Sequence, residues 1–130
     1  MIGPPLPSLS QLDHNSSMHG TRIWLAAVPA DMRCGFDRLA DLARQVTEQD
    51  PTSGHLFLFR SRGGDRLKAL YFDRDGYALW YKRLEVGVFK FPRIVDGAKS
   101  VELRASELAM LLDGIDLKSV KRAPRYQKKT

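Results

Sequence analysis

The first part of the chain combines a short apolar run with a stretch of helical periodicity. Residues 22–28 (RIWLAAV) are apolar enough to predict a buried strand, which Pro29 ends. Asp31 is a suitable N-cap, and apolar residues then recur at intervals of three and four. This spacing predicts an amphipathic helix over 31–48. Its apolar stripe consists of Met32, Phe36, Leu39, Ala40, Ala43 and Val46.

A period of two follows, which is typical of β-strands. Residues 55–60 (HLFLFR) are apolar on both alternating sets, so they predict a central strand covered on both faces. Residues 66–72 and 77–84 predict two further strands, rich in aromatic and aliphatic side chains. The segment DRDG at 73–76 is a strong hairpin signal between them. Residues 88–91 (VFKF) predict another strand that returns along the sheet.

The C-terminal part predicts a loop and a second helix. Residues 93–100 predict the loop, and three leucines predict a short helix over 107–112. Gly114 stands where a left-handed residue ends a helix, and Ile115 and Leu117 are expected to fold back as its apolar partners. The predicted fold class is α+β. We expect an antiparallel meander sheet of four to five strands, with one main helix on a face and a short C-terminal helix.

Composition is typical of one globular domain, with 130 residues of which 43% are hydrophobic. A single cysteine, Cys34, excludes an internal disulfide and favours a reducing compartment. No run is long enough for a membrane span, and the N-terminus lacks the features of a signal peptide. We therefore expect a cytoplasmic protein. The predicted division is a flexible leader over 1–20, one α+β domain over 21–117 and a basic mobile tail over 118–130.

The net charge of +6 is unevenly distributed. Six Lys and Arg residues follow the last acidic residue, Asp116, so the tail accounts for all of the net charge. Residues 60–93 hold nine Lys and Arg against four acidic residues, whereas both flanks are acidic. A basic centre with a basic tail indicates contact with a polyanion such as nucleic acid. The alternative is a solvated charged face and a solubilising tail.

Aromatic residues are interleaved with the central cations. Cations bind phosphates and aromatic rings stack on bases, so the pattern is compatible with DNA binding. Alternatively, the aromatic residues form the core and the cations are their solvent-facing neighbours. We expect Lys68 and Lys82 to lie on an exposed sheet face. The candidate DNA-binding residues are Arg33, Arg60, Arg62, Arg66, Lys68, Lys82, Arg83, Lys121 and Arg122.

Candidates for catalysis are few. Asp73 and Asp75 form a D-x-D that can hold a divalent metal, but Asp beside a hairpin Gly is typical of a turn. The three histidines share no metal-ligand spacing with one another or with Cys34. We therefore expect no catalytic residue, no metal, no cofactor and no small-molecule substrate. A small metal-dependent nuclease using the two aspartates is the alternative.

Six blocks, in order, resemble one known family. They are DMRCGFD at 31–37, DPTSGHLFLF at 50–59, GDRLK at 64–68, DRDG at 73–76, WYKRLE at 80–85 and LLDGID at 111–116. From about Thr21 to Asp116 the chain resembles the TnpB-type accessory protein, the second open reading frame of the bacterial insertion sequence family 66. Two positions depart from the family pattern. Cys34 stands where the family usually has Lys, and Arg104-Ala105 stand where it has a Thr-Pro helix start.

The resemblance implies a role in DNA transposition beside a separate catalytic transposase, and no catalysis by this chain. The implied partners are DNA, at the ends of the insertion sequence, and the transposase of the same element. The alternative is an adaptor that docks on the transposase without touching DNA, with Trp80 and Tyr81 as anchors. The Cys34 departure removes a positive charge from a block expected to touch an anion, which suggests a diverged copy.

Overall fold

The structure is a computed structural model, and it describes residues 21–114. The predicted leader and tail therefore lie outside the described residues, as do Lys121, Arg122 and the predicted back-folding of Ile115 and Leu117. These residues form five strands and two helices. They are β1 (Ile23–Ala26), α1 (Phe36–Thr47), β2 (Leu56–Arg60), β3 (Arg66–Asp73), β4 (Gly76–Arg83), β5 (Ser100–Leu103) and α2 (Ala105–Asp113).

The strands form one sheet in the order β4-β3-β2-β1-β5. Strands β2, β3 and β4 make an antiparallel meander, and β5 is antiparallel to β1. Strand β1 is parallel to β2, with Trp24 opposite Phe57. A parallel neighbour needs a crossover connection, which α1 supplies. The predicted α+β class and sheet of four to five strands are confirmed, with five strands and one parallel pair among antiparallel ones.

Both faces of the sheet are covered. The α1 face, on which helix α1 packs, buries Phe57, Phe59 and Leu70 against Leu39 and Ala43. The α2 face buries a second apolar cluster against the leucines of α2 and the ring of Phe89. Strand β2 contributes to both clusters, so the prediction of a doubly buried central strand is confirmed.

Helix α1 begins later than predicted, at Phe36 with Gly35 as its N-cap. Asp31 does not cap the helix because its carboxylate accepts hydrogen bonds from the backbone N–H of Arg33, at 2.9 Å, and from the Arg33 guanidinium. The aspartate thus stabilises a turn before the helix. This turn belongs to a short loop over 31–35, which leads into α1.

The strand predicted at 88–91 does not form, and the predicted loop ends earlier because Ser100 begins β5. Residues 84–99 lie over the α2 face instead. The N–H of Phe89 donates to the carbonyl of Gly64 at 2.9 Å, and its ring is buried. The alternation of Val88–Phe91 thus reflects the packing of two Phe rings onto the sheet. It does not reflect pairing with a strand.

Helix α2 starts two residues before the predicted helix and ends at Asp113. The position of Gly114 is as predicted, with φ +83° and its N–H 3.3 Å from the carbonyl oxygen of Leu111. Arg104 is the N-cap and makes no side-chain cap bond, but its N–H donates to Glu107 at 2.8 Å. Neither helix of residues 21–114 is long and apolar enough to cross a membrane.

Candidate nucleic-acid interface

The sheet divides the candidate cations between its two faces. In an antiparallel pair, residues directly opposite each other point to the same face. Lys82 lies opposite the buried Leu67, which belongs to the α2-face cluster. Arg66 and Arg83, the next residues on the two strands, lie opposite each other. Arg60 also lies opposite Leu67. Arg66 and Arg83 therefore point to the α1 face, whereas Arg60 and Lys82 point to the α2 face.

The pairing of Arg66 with Arg83 brings two like charges together. Such a pair destabilises a sheet unless another charge compensates it. Arg83 is compensated by Glu85, with 3.0 Å between the guanidinium nitrogen and the carboxylate oxygen. Arg66 has no carboxylate partner among residues 21–114, and its guanidinium makes only a long contact of 3.5 Å with the hydroxyl of Tyr81. Arg66 is thus a cation available to an anionic ligand.

Lys68 is buried, so the expectation that it lies on an exposed face is wrong. It occupies the middle of the sheet, opposite Phe59 on one side and Tyr81 on the other, and the 31–35 loop covers it. Its ammonium donates to the carbonyl oxygens of Met32, at 2.6 Å, and Cys34, at 2.8 Å. It also lies 4.8 Å from the centroid of the Tyr81 ring. These contacts satisfy the buried charge and fasten the loop to the sheet.

Further arginines line two cavities next to this loop, of which only Arg33 belongs to the loop itself. A cavity of about 500 Å³ is lined by Arg33 and Arg38 together with Asp31, Cys34 and Gly35. A neighbouring cavity of about 310 Å³ is lined in part by Arg62. The hydrogen bonds from Arg33 hold the pKa of the Asp31 carboxyl well below its usual range, so this aspartate stays ionised and offsets part of the charge of Arg33.

We call this region the arginine surface. It consists of Arg33, Arg38, Arg62, Arg66 and Arg83, with Tyr81 among them. Arg38 was not among the predicted candidates. The only signal in the sequence was its place on the polar side of the first helical turn.

Arg60 and Lys82 lie apart from the arginine surface. The guanidinium of Arg60 donates to the carbonyl of Ala27 at 3.0 Å and lies 5.5 Å from the centroid of the Phe91 ring. Arg60 is thus half-buried and holds residues 84–99 against the sheet. Lys82 is exposed at the edge strand β4. The structure therefore brings together only part of the predicted set.

Asp73 and Asp75 belong to a tight hairpin. Arg74 between them has φ +59°, and the N–H of Asp75 donates to the carbonyl of Asp73 at 2.6 Å. Both aspartates are exposed. Within 21–114, no group of three or more His, Cys, Asp or Glu residues is placed to hold a metal ion. The contacts of the two aspartates are those of a turn.

The predicted aromatic anchors differ in exposure. Trp80 is half-buried and packs on the α2-face cluster, whereas Tyr81 is 39% exposed.

An unpredicted apolar cavity of about 220 Å³ lies where α1 meets the end of β1. It is lined by Ala26, Val28, Pro29, Ala30, Leu42, Val46 and Phe59. Val28 at its rim is 66% exposed. We call this feature the Val28 cavity.

Comparison with known proteins identifies relatives that cover most of the chain. The chain is 40% identical to the uncharacterized protein y4hO of Sinorhizobium fredii (strain NBRC 101917 / NGR234) over 100 residues, which cover 77% of this chain and 85% of that protein. It is 39% identical to the uncharacterized protein y4jC of the same strain over 105 residues, 81% of this chain and 88% of that protein.

No solved structure matches the chain. The family model described as IS66 Orf2 like protein matches residues 21–122, which include every strand and helix described above. The predicted resemblance is thereby confirmed. The chain belongs to the family of IS66 Orf2 like proteins and is an accessory protein of an insertion sequence.

Proposed function

We propose that this accessory protein acts by binding DNA of its element through the arginine surface, and that catalysis belongs to a separate transposase. The observation that carries the proposal is the placement of Arg66 directly opposite Arg83. Glu85 pairs with Arg83, but Arg66 has no carboxylate partner among residues 21–114, and a phosphate bound beside the two arginines would supply an anionic one. The proposal includes no cofactor and no small-molecule substrate, and it places the protein with DNA in the cytoplasm.

The surroundings of the pair support a phosphate ligand. Guanidinium groups match the geometry of phosphate oxygens and bind them through two parallel hydrogen bonds. The buried ammonium of Lys68, bonded to carbonyl oxygens, adds positive potential beneath Tyr81. The exposed part of the Tyr81 ring offers an apolar and hydrogen-bonding contact beside the cations. Contacts of this kind fix a protein on the phosphate backbone and carry little sequence information.

Binding to a duplex carrying the end of the element tests the proposal. Fluorescence anisotropy of the full chain is measured over a series of salt concentrations. We expect affinity to fall steeply with salt, since binding releases counterions. Arg66→Gln and Arg62→Gln each remove one phosphate contact, so each flattens the slope of log affinity against log salt by roughly 0.9.

Arg74→Asn is the matched control. Arg74 lies at the other end of the same hairpin, in a left-handed conformation that Asn tolerates. The variant loses the same charge but leaves the arginine surface intact, and it is expected to bind DNA with a nearly unchanged salt slope. Equal losses in all three variants would mean that net charge alone determines binding. Absence of binding at low salt would contradict the proposal.

A second candidate function is docking on the transposase without direct DNA contact. The Val28 cavity favours it, because an apolar cavity with an exposed aliphatic rim suits an apolar anchor from a protein partner. Co-purification with the transposase after nuclease treatment separates the two functions. Val28→Asp is expected to abolish such a complex. Val86→Asp is its control, since Val86 is exposed on a turn away from this cavity.

A further inference from the structure

Strand β4 forms one edge of the sheet, and among residues 21–114 no strand pairs with its outer side. The strand has eight residues, GYALWYKR, and five consecutive ones from 77 to 81 are apolar or aromatic. The strand at the opposite edge, β5, has only four residues. A long edge strand presents unpaired backbone groups with which another strand can pair.

The pairing with β3 identifies the backbone groups that point outward. The N–H of Leu84 donates to the carbonyl of Asp65 at 2.8 Å, so these two residues form a hydrogen-bonded pair. In the same register, Arg83 lies opposite Arg66. Hydrogen-bonded and non-hydrogen-bonded pairs alternate along an antiparallel ladder. Even-numbered residues of β4 therefore bond to β3. The outward N–H and C=O groups belong to Tyr77, Leu79, Tyr81 and Arg83.

We propose that a second copy of this chain pairs with β4 in the antiparallel sense, with Leu79 opposite Leu79 of the partner subunit. The outward groups of both copies meet only when odd-numbered residues lie opposite odd-numbered residues, which excludes shifts of one residue. Two such registers keep seven residues of β4 paired, one centred on Leu79 and one centred on Trp80.

Charge complementarity selects the Leu79 register. It brings Asp75, in the exposed turn before β4, next to Arg83 of the partner subunit, just beyond the seven paired residues, and twofold symmetry repeats this pair. The register centred on Trp80 places Arg83 opposite Tyr77 and provides no acidic partner. The Leu79 register also sets Tyr77 opposite Tyr81 of the partner subunit, and aromatic pairs across strands stabilise a sheet.

Both apolar clusters continue across this interface. Leu79 packs with the α1-face cluster and Trp80 with the α2-face cluster, and both residues are half-buried in the single chain. Since Leu79 meets its own copy, the α1 faces of the two subunits lie on the same side of one continuous sheet. The two arginine surfaces therefore face the same way. The dimer does not depend on DNA binding.

The test is the mass of the full chain in solution, measured by sedimentation velocity over a range of concentrations without DNA. We expect twice the chain mass. Asp75→Arg and Arg83→Asp each set like charges opposite each other twice, and each weakens the dimer roughly tenfold. The double variant Asp75→Arg/Arg83→Asp restores opposite charges and recovers the dimer. Asp113→Arg is the control, because it makes the same charge reversal at an exposed position at the end of α2 and is expected to leave the dimer unchanged.

A distance measurement keeps the register testable on its own. A spin label on Lys82→Cys, in a Cys34→Ser chain, lies three residues from the Leu79 centre, so the two labelled backbones are ~20 Å apart in the dimer. A monomer at every concentration overturns the proposal. So does a dimer in which the double variant associates no better than the single ones, or one whose label distance is far from this value.

Discussion

The ammonium nitrogen of Lys68 lies 2.8 Å from the carbonyl oxygen of Cys34, across a sequence separation of 34 residues. A second bond, to Met32, joins the same ammonium to the same loop. A central strand residue thus fixes the segment before helix α1. Arg33 of that segment is therefore held near the sheet by a cation that is itself buried.

Replacement of Lys68 with Met is expected to loosen this loop. The apolar side chain fills similar space but leaves the two carbonyls without their donor, at a cost of about 2 kcal/mol of unfolding free energy. Urea denaturation measures the loss, and hydrogen exchange should show faster exchange over 31–35. Lys82→Met, at an exposed position on the neighbouring strand, should change stability by less than ~0.5 kcal/mol. Similar effects of the two substitutions would contradict the anchoring role.

Cys34→Lys is expected to strengthen DNA binding. Cys34 lines a cavity with Arg33 and Arg38 at the border of the α1-face cluster, so we expect a lysine there to add a cation to the arginine surface. One more phosphate contact steepens the salt dependence of log affinity by roughly 0.9. Cys34→Ser, which removes the thiol without adding charge, is the control. If the lysine variant binds like the serine variant, this cavity does not face DNA.

His55 makes stability depend on pH. Its Nδ1 accepts the backbone N–H of Arg22 at 3.1 Å, which requires the neutral ring. Burial, followed by the charge of Arg22, lowers the pKa of His55 below its ordinary 6.5. The folded protein therefore binds fewer protons than the unfolded chain just below pH 6.5. The contribution of His55 to the free energy of unfolding is complete above pH 6.5 and is lost as the pH falls through the pKa of His55 in the folded protein.

We therefore expect the free energy of unfolding to decrease on acidification from pH 8 to pH 5. His55→Asn tests the cause, because the amide oxygen can accept the same N–H but does not titrate in this range. The difference in stability between the wild type and this variant should change with pH in that window. A constant difference would assign the acid sensitivity to other groups.

Arg104→Thr is expected to stabilise the start of α2. The guanidinium of Arg104 has no acceptor atom, and the N–H of Glu107 bonds to the Arg104 carbonyl instead. A threonine hydroxyl can accept this N–H while Glu107 still accepts the N–H of residue 104, which completes a capping box. Relative to Arg104→Ala, which lacks the guanidinium as well, the threonine variant should be about 1 kcal/mol more stable in thermal or urea unfolding.

The elements that the sequence predicts well are those in which local pattern and tertiary packing agree. Leu56–Arg60 is apolar on both alternating sets and is buried on both faces. The hairpin at 73–76 is determined by its own turn residues, and Gly114 ends α2 through its left-handed conformation. In each case a few adjacent residues contain the physical cause of the structure.

The failures involve side-chain contacts that the local pattern does not reveal, most of them between residues distant in the chain. Asp31 has the side chain of an N-cap, but Arg33 competes for its carboxylate. Val88–Phe91 alternates like a strand because Phe89 and Phe91 pack on the sheet. Lys68 looks exposed from its alternation, yet a loop 34 residues away covers it. The arginine surface could be predicted only in part, since strand register decides which cations share a face.

The position of β1 has a consequence for synthesis of the protein. This strand is made first, yet its neighbours are β2, with Ile23 opposite Leu56, and β5, with Ile23 opposite Leu103. The β2–β3–β4 meander contains only sequence-local pairings and can form while the chain is still growing. One side of β1 remains open until residue 103 has left the ribosome. Incomplete chains therefore expose a strand edge beside an apolar core, a target for proteases and for self-association.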